Sequence, residues 1–247
     1  MSDTSQYFMS SFNERLAYRS NQLDSDTTIF FFGGYASSMT GTKASSLNDW
    51  TLNKNLNFIR FDYSGHGQSE GNFREGTITK WSTEAEQVFN KFKNNKNILV
   101  GSSMGGWISL ILAEKNLNSV NGFIGIASAP DFTVGEWDKL SNEEKIKFKE
   151  RGLMMFPDPD YGDYEVSYKF VSDGFSNLLL NREIDVKCPI SLLHGRQDKV
   201  VPLTTSERII EKVISDNKKL IIIDDGDHSL SRKEDLNILF SQIEYFI

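Results

Sequence analysis

The chain has 247 residues, a length that suits one large α/β domain with a self-sufficient core. It is 38% hydrophobic and 25% charged, and its net charge of −7 argues against a nucleic-acid or anionic-membrane partner, since both require a basic face. A single cysteine, Cys188, excludes an intramolecular disulfide, and no stretch approaches the roughly 18 apolar residues of a membrane span.

The opening residues, Met1 to Phe12, lack a basic region followed by an apolar one and are not Arg-rich, so a cytoplasmic location is expected. Around Tyr7–Met9 and Arg15–Arg19 the pattern is that of edge strands. Thr27–Phe32 is a β-rich run ending at Gly33-Gly34, followed by a helix candidate over Thr42–Asn53 and a strand over Asn57–Phe61. A turn then leads to a helix from about Thr79 to Lys93, the central strand Ile98–Val100, a helix over Met104–Lys115 and a strand over Phe123–Ala127.

Between Asp131 and Asp185 the alternation breaks, and this aromatic, charged stretch reads as an inserted cap. Within it, Ser141-Asn-Glu-Glu144 is a capping box opening a helix through Arg151, with Gly152 placed to end it. Phe148, Met154, Met155, Phe156, Tyr161, Tyr164 and Tyr168 either line an apolar acyl pocket or pack the cap on the core; the periodicity leaves both open. Regular alternation returns with strand Ile190–Leu193, helix Thr205–Ile214, strand Leu220–Ile223 and helix Ser231–Tyr245. The whole predicts a mostly parallel sheet with helices on both faces. Cys188, just before Pro189 and an apolar run, reads as a buried structural thiol.

Gly101-Ser-Ser103-Met-Gly105 contains the G-x-S-x-G pattern. By composition alone it arises in about one chain per dozen, so context carries the argument. Here an apolar run precedes it and a helix-like run follows, as a serine on a sharp strand-to-helix turn requires. The glycine spacing selects Ser103 over Ser102, and a Cβ at Gly101 or Gly105 is expected to collide with neighbouring backbone.

The associated acid and base follow in the order Asp or Glu, then His. Of the three histidines, His228 lies after a strand and before the final helix, at the carboxyl edge of the sheet. His194 reads as packed and hydrogen-bonded, and His66 as part of a turn. Asp198, a few residues past another strand, is the best acid; Asp224, Asp225 and Asp227 share a short loop with His228 and cannot easily reach its ring. That acidic cluster has no second histidine at ligand spacing, so neither metal nor other cofactor is expected.

Four segments together resemble the α/β-hydrolase superfamily: Gly34-Tyr-Ala-Ser-Ser-Met-Thr-Gly-Thr-Lys-Ala44, Phe61-Asp-Tyr-Ser-Gly-His-Gly67, Gly101-Ser-Ser-Met-Gly-Gly-Trp107 and Cys188-Pro-Ile-Ser-Leu-Leu-His-Gly195. The likeness is greatest to the palmitoyl-protein thioesterase and acyl-glucuronide esterase branch, which has mitochondrial and bacterial members. It implies the α/β-hydrolase fold, a Ser103–His228–Asp198 triad and an oxyanion hole from the backbone N–H groups of Tyr35 and Met104. Where many members carry His-Gly, this chain has Gly33-Gly34, so a supporting side-chain hydrogen bond is absent. The expected activity is hydrolysis of carboxylic esters or thioesters of small acyl substrates. Amide, lactone or C–C bond cleavage by the same residues stays open, as does a non-catalytic binding module on this fold.

Overall fold

The computed structural model describes residues 4–157 and 162–247. Its centre is an eight-stranded sheet. The antiparallel edge is β1 (Gln6–Met9) beside β2 (Arg15–Asn21), and β2 runs antiparallel to β4 (Asn57–Phe61). From β4 onward the sheet is parallel, through β3 (Thr27–Phe32), β5 (Lys96–Ser102), β6 (Gly122–Ile126), β9 (Ile190–Gly195) and β10 (Lys218–Ile223). The inner strands read as unbroken apolar runs because helices cover both of their faces; every residue of β3, β4, β6 and β9 is buried.

On one face lie α1 (Thr42–Asn53) and α8 (Lys233–Phe246), whose Leu47, Leu239, Ile243 and Phe246 pack on Ile29, Ile98 and Ile124. The other face is covered by α2 (Ile78–Phe92), α3 (Met104–Lys115) and α7 (Leu203–Lys212). The α2 helix is amphipathic, burying Trp81, Ala85, Val88 and Phe89 at helical spacing. By contrast α3 is buried on all sides from Met104 to Ala113, as a helix wedged between sheet and neighbours must be.

Between β6 and β9 the chain builds α4 (Phe132–Asp138), α5 (Asn142–Arg151), the hairpin β7 (Leu153–Phe156) with β8 (Tyr164–Ser167), and α6 (Tyr168–Gly174). The capping box at Ser141 and Glu144 forms, and Gly152 ends α5 at φ +73°, a left-handed conformation that disfavours a side chain. Phe148 and Phe156 are buried in the core beneath this segment, and Met154, Tyr164 and Tyr168 pack partly buried against it. Met155 points outward at 56% exposure, and Tyr161 lies outside the described residues. Packing of this segment against the rest of the chain therefore occupies most of these side chains. Among the described residues, no helix is long and apolar enough to cross a membrane.

Candidate active site

Three connections at the carboxyl ends of β5, β9 and β10 meet at one rim of the sheet, where open α/β sheets place their sites. Ser103 stands between the end of β5 and the start of α3 at φ 54°, ψ −118°, a backbone conformation that an L-residue adopts only when its surroundings enforce it. The enforcement is visible. The Ser103 N–H donates to the Ile126 carbonyl at 2.9 Å, and its own carbonyl accepts from Gly106 and Ala129. A Cβ on Gly105 would be driven into the carbonyl oxygens of Phe32 and Gly33, and one on Gly101 into the Gly105 carbonyl. Only bare backbone allows the turn to be this tight.

His228, on the loop after β10, places Nε2 3.2 Å from Ser103 Oγ and Nδ1 2.8 Å from Asp198 Oδ2. Asp198, on the loop after β9, has a side chain that is 1% exposed. Its second oxygen, Oδ1, accepts the N–H groups of Val200 and Val201, both at 2.8 Å. Burial pushes this carboxyl up, but the imidazole of His228 and the two N–H donors outweigh it and hold the group below the usual carboxylate range.

The other acids near His228 are engaged elsewhere. Asp224 binds Arg196, Asp225 binds Arg232, and Asp227 accepts the Leu230 N–H. His194 is fully buried, with Nδ1 2.7 Å from Ser206 Oγ and Nε2 2.9 Å from the Val201 carbonyl, and burial keeps it neutral. Cys188 is half-buried rather than fully so; desolvation pushes its thiol up to about 12, so it stays protonated at neutral pH.

Met104 is the first residue of α3, and its N–H has no acceptor within the helix. Gly34 is packed so closely on the serine that a Cβ there would lie 3.4 Å from Ser103 Cβ, which brings the Gly34–Tyr35 peptide alongside. The Tyr35 side chain turns away from the serine. Its ring packs on Phe73, Trp81, Phe132, Tyr164 and Phe170, and its hydroxyl donates to the Glu165 carbonyl in β8 at 2.8 Å.

A family model described as "Serine aminopeptidase, S33" matches residues 24–151. The chain belongs to the α/β-hydrolases. The human protein named "Palmitoyl-protein thioesterase ABHD10, mitochondrial" is 36% identical over 221 residues, covering 89% of this chain and 72% of that protein. A putative hydrolase from Agrobacterium vitis S4 superposes with a TM-score of 0.92 at 35% identity, over 99% of this chain and 98% of that one. Mouse alpha/beta hydrolase domain-containing protein 10 does so with a TM-score of 0.90 at 32% identity, over 98% and 97%.

Two features of this hydrolase lay beyond sequence reasoning. Lys43, inside the quoted Gly34–Ala44 segment, donates through Nζ to the Ser229 carbonyl at 2.5 Å, next to His228; burial pushes this ammonium down to about 8, against the attraction of Asp227 and Asp235. Arg60 and Asp62, both buried, bind the Met39 carbonyl and N–H at 2.8 and 2.6 Å and so hold the same segment in place. The spacing of family-like segments was the available signal, but their contacts are tertiary.

Proposed function

We propose that this hydrolase cleaves carboxylic esters and thioesters of acyl substrates through an acyl-enzyme on Ser103. The observation that carries the reading is the chain of short contacts from Asp198 Oδ2 to His228 Nδ1 and from His228 Nε2 to Ser103 Oγ. With the Nδ1 proton committed to the carboxylate, Nε2 is the acceptor for the Ser103 hydroxyl proton as Oγ attacks the carbonyl. Asp198 then faces the imidazolium that forms. The N–H groups of Tyr35 and Met104 receive the developing oxyanion, each contributing on the order of 3 kcal/mol. His228 returns its proton to the departing alcohol or thiol, and a water molecule repeats the sequence to free the acid. The relatives named as palmitoyl-protein thioesterases favour thioesters among the substrates.

In this reading, residues 131–185 form the cap over the site and set acyl preference. The cytoplasmic location expected from sequence belongs to the same proposal; the cited relatives are named as mitochondrial. The test is labelling with a fluorophosphonate, which reacts only with an activated serine. The wild type is expected to be labelled at Ser103, and Ser103→Ala to remain folded, resist the probe and lose several orders of magnitude in kcat. A folded Ser103→Ala variant with near-normal esterase activity would end the proposal.

A further inference from the structure

Gly34, Tyr35, Ala36 and Ser37 form a tight turn: the Ser37 N–H and hydroxyl both donate to the Gly34 carbonyl, at 3.3 and 2.8 Å. Its third residue, Ala36, sits at φ 55°, left-handed territory that costs an L-residue free energy unless an outside contact holds it. The outside contact is a histidine. Ala36 N–H donates to His66 Nε2 at 3.2 Å, while His66 Nδ1 lies 3.2 Å from the Ser64 carbonyl. A backbone N–H can only donate, so Nε2 is the unprotonated nitrogen and Nδ1–H donates to Ser64. Only one neutral tautomer satisfies both ends.

The ring is 3% exposed and edge-packed on Trp81, Phe73 and Tyr63, with centroids 4.8, 5.0 and 5.5 Å away. Its anchor is fixed as well: Trp81 Nε1 also donates to the Ser64 carbonyl, at 3.1 Å, and the Ser64 N–H donates to buried Glu84 at 2.9 Å. Burial pushes the imidazole down to about 4, so the acceptor form persists at neutral pH.

We propose that His66 is a positioning residue for acyl transfer: it locks the Tyr35–Ala36 peptide and thereby aims the Tyr35 N–H at the substrate oxyanion. The inference rests on the acyl-enzyme reading above. If Ala36 relaxed to negative φ, the Tyr35–Ala36 peptide would rotate and carry the adjoining N–H off line. The ground-state complex would be little affected, because the donor matters most when the oxygen bears charge.

The variants separate this role from a packing role. His66→Leu keeps volume without an acceptor. His66→Gln keeps an oxygen near the Nε2 position, and His66→Asn reaches Ser64 but not Ala36. On p-nitrophenyl acetate, His66→Leu is expected to lose about 100-fold in kcat with KM within threefold. A boronic acid, which becomes tetrahedral on the serine, should weaken in parallel, while His66→Gln stays within tenfold of wild type. A folded His66→Leu variant with kcat within threefold of wild type overturns the proposal, as does a matching rise in KM with kcat unchanged. If His66→Leu does not fold, the other two variants decide: Gln at least tenfold faster than Asn supports the role, and equal rates overturn it. Fluorophosphonate labelling of wild-type Ser103 in the same series distinguishes failure of this inference from failure of the acyl-enzyme reading.

Discussion

Asp198 divides its two oxygens between different tasks, one facing the His228 ring and the other accepting the N–H groups of Val200 and Val201. An asparagine here would have to give its carbonyl oxygen to those two N–H donors. Its NH2 would then face Nδ1 and force the imidazole proton onto Nε2, against the serine. Asp198→Asn is therefore expected to fold normally and lose about 10⁴-fold in kcat on p-nitrophenyl acetate. A loss below tenfold would show that the tautomer does not matter. Motif spacing and chain order made Ser103, Asp198 and His228 the candidates in the sequence, and the fold sets the three within contact distance of one another. His66 and Lys43 could not be given their roles, because those roles consist of contacts with residues 30 and 186 positions away.

At the level of elements, local signals were readable where local physics decides. The Ser141–Glu144 box opens α5 with both reciprocal hydrogen bonds, at 3.3 and 2.8 Å, and Gly152 closes it. Ser141→Ala removes one of these bonds and is expected to cost about 1 kcal/mol. Amide exchange across residues 142–151 should then run about fivefold faster, and unchanged exchange would mean the helix is held by packing alone. The sequence did not disclose the β7–β8 hairpin or α6. Their side chains are placed by tertiary packing: Val166, Phe170 and Val171 are buried against the body, and the Phe170 ring packs tilted against Tyr35, Trp81 and Phe132. No two-residue or helical period marks such a segment. The main strands and helices were legible to within a few residues because burial on two faces of a parallel sheet writes continuous apolar runs.

For the whole molecule, stability should vary with pH through a carboxyl buried on α2, outside the Ser103–His228–Asp198 contacts. Glu84 is fully buried on α2, and burial outweighs its Ser64 hydrogen bonds and Lys80, raising its pKa from 4.5 to about 7. Between those values the folded protein keeps a proton that the unfolded chain has lost. Stability therefore falls as pH rises through the window, by on the order of 3 kcal/mol. Glu84→Gln keeps an acceptor for the Ser64 N–H and removes the titration. Denaturant midpoints of variant and wild type are expected to coincide near pH 4.5, with the variant the more stable at pH 7.5. A more stable wild type at pH 7.5 would show that the ionised form is favourably held.

The sheet order carries a last consequence. β5 and β10 lie at positions separated by β6 and β9, and Ser103 and His228 are 125 residues apart in the chain. During synthesis the Ser103 turn and its supporting strands leave the ribosome long before β10 exists. On the acyl-enzyme proposal, a nascent chain, or one clipped ahead of β10, would present its serine as a plain alcohol until closure of the final strand brings His228 to it.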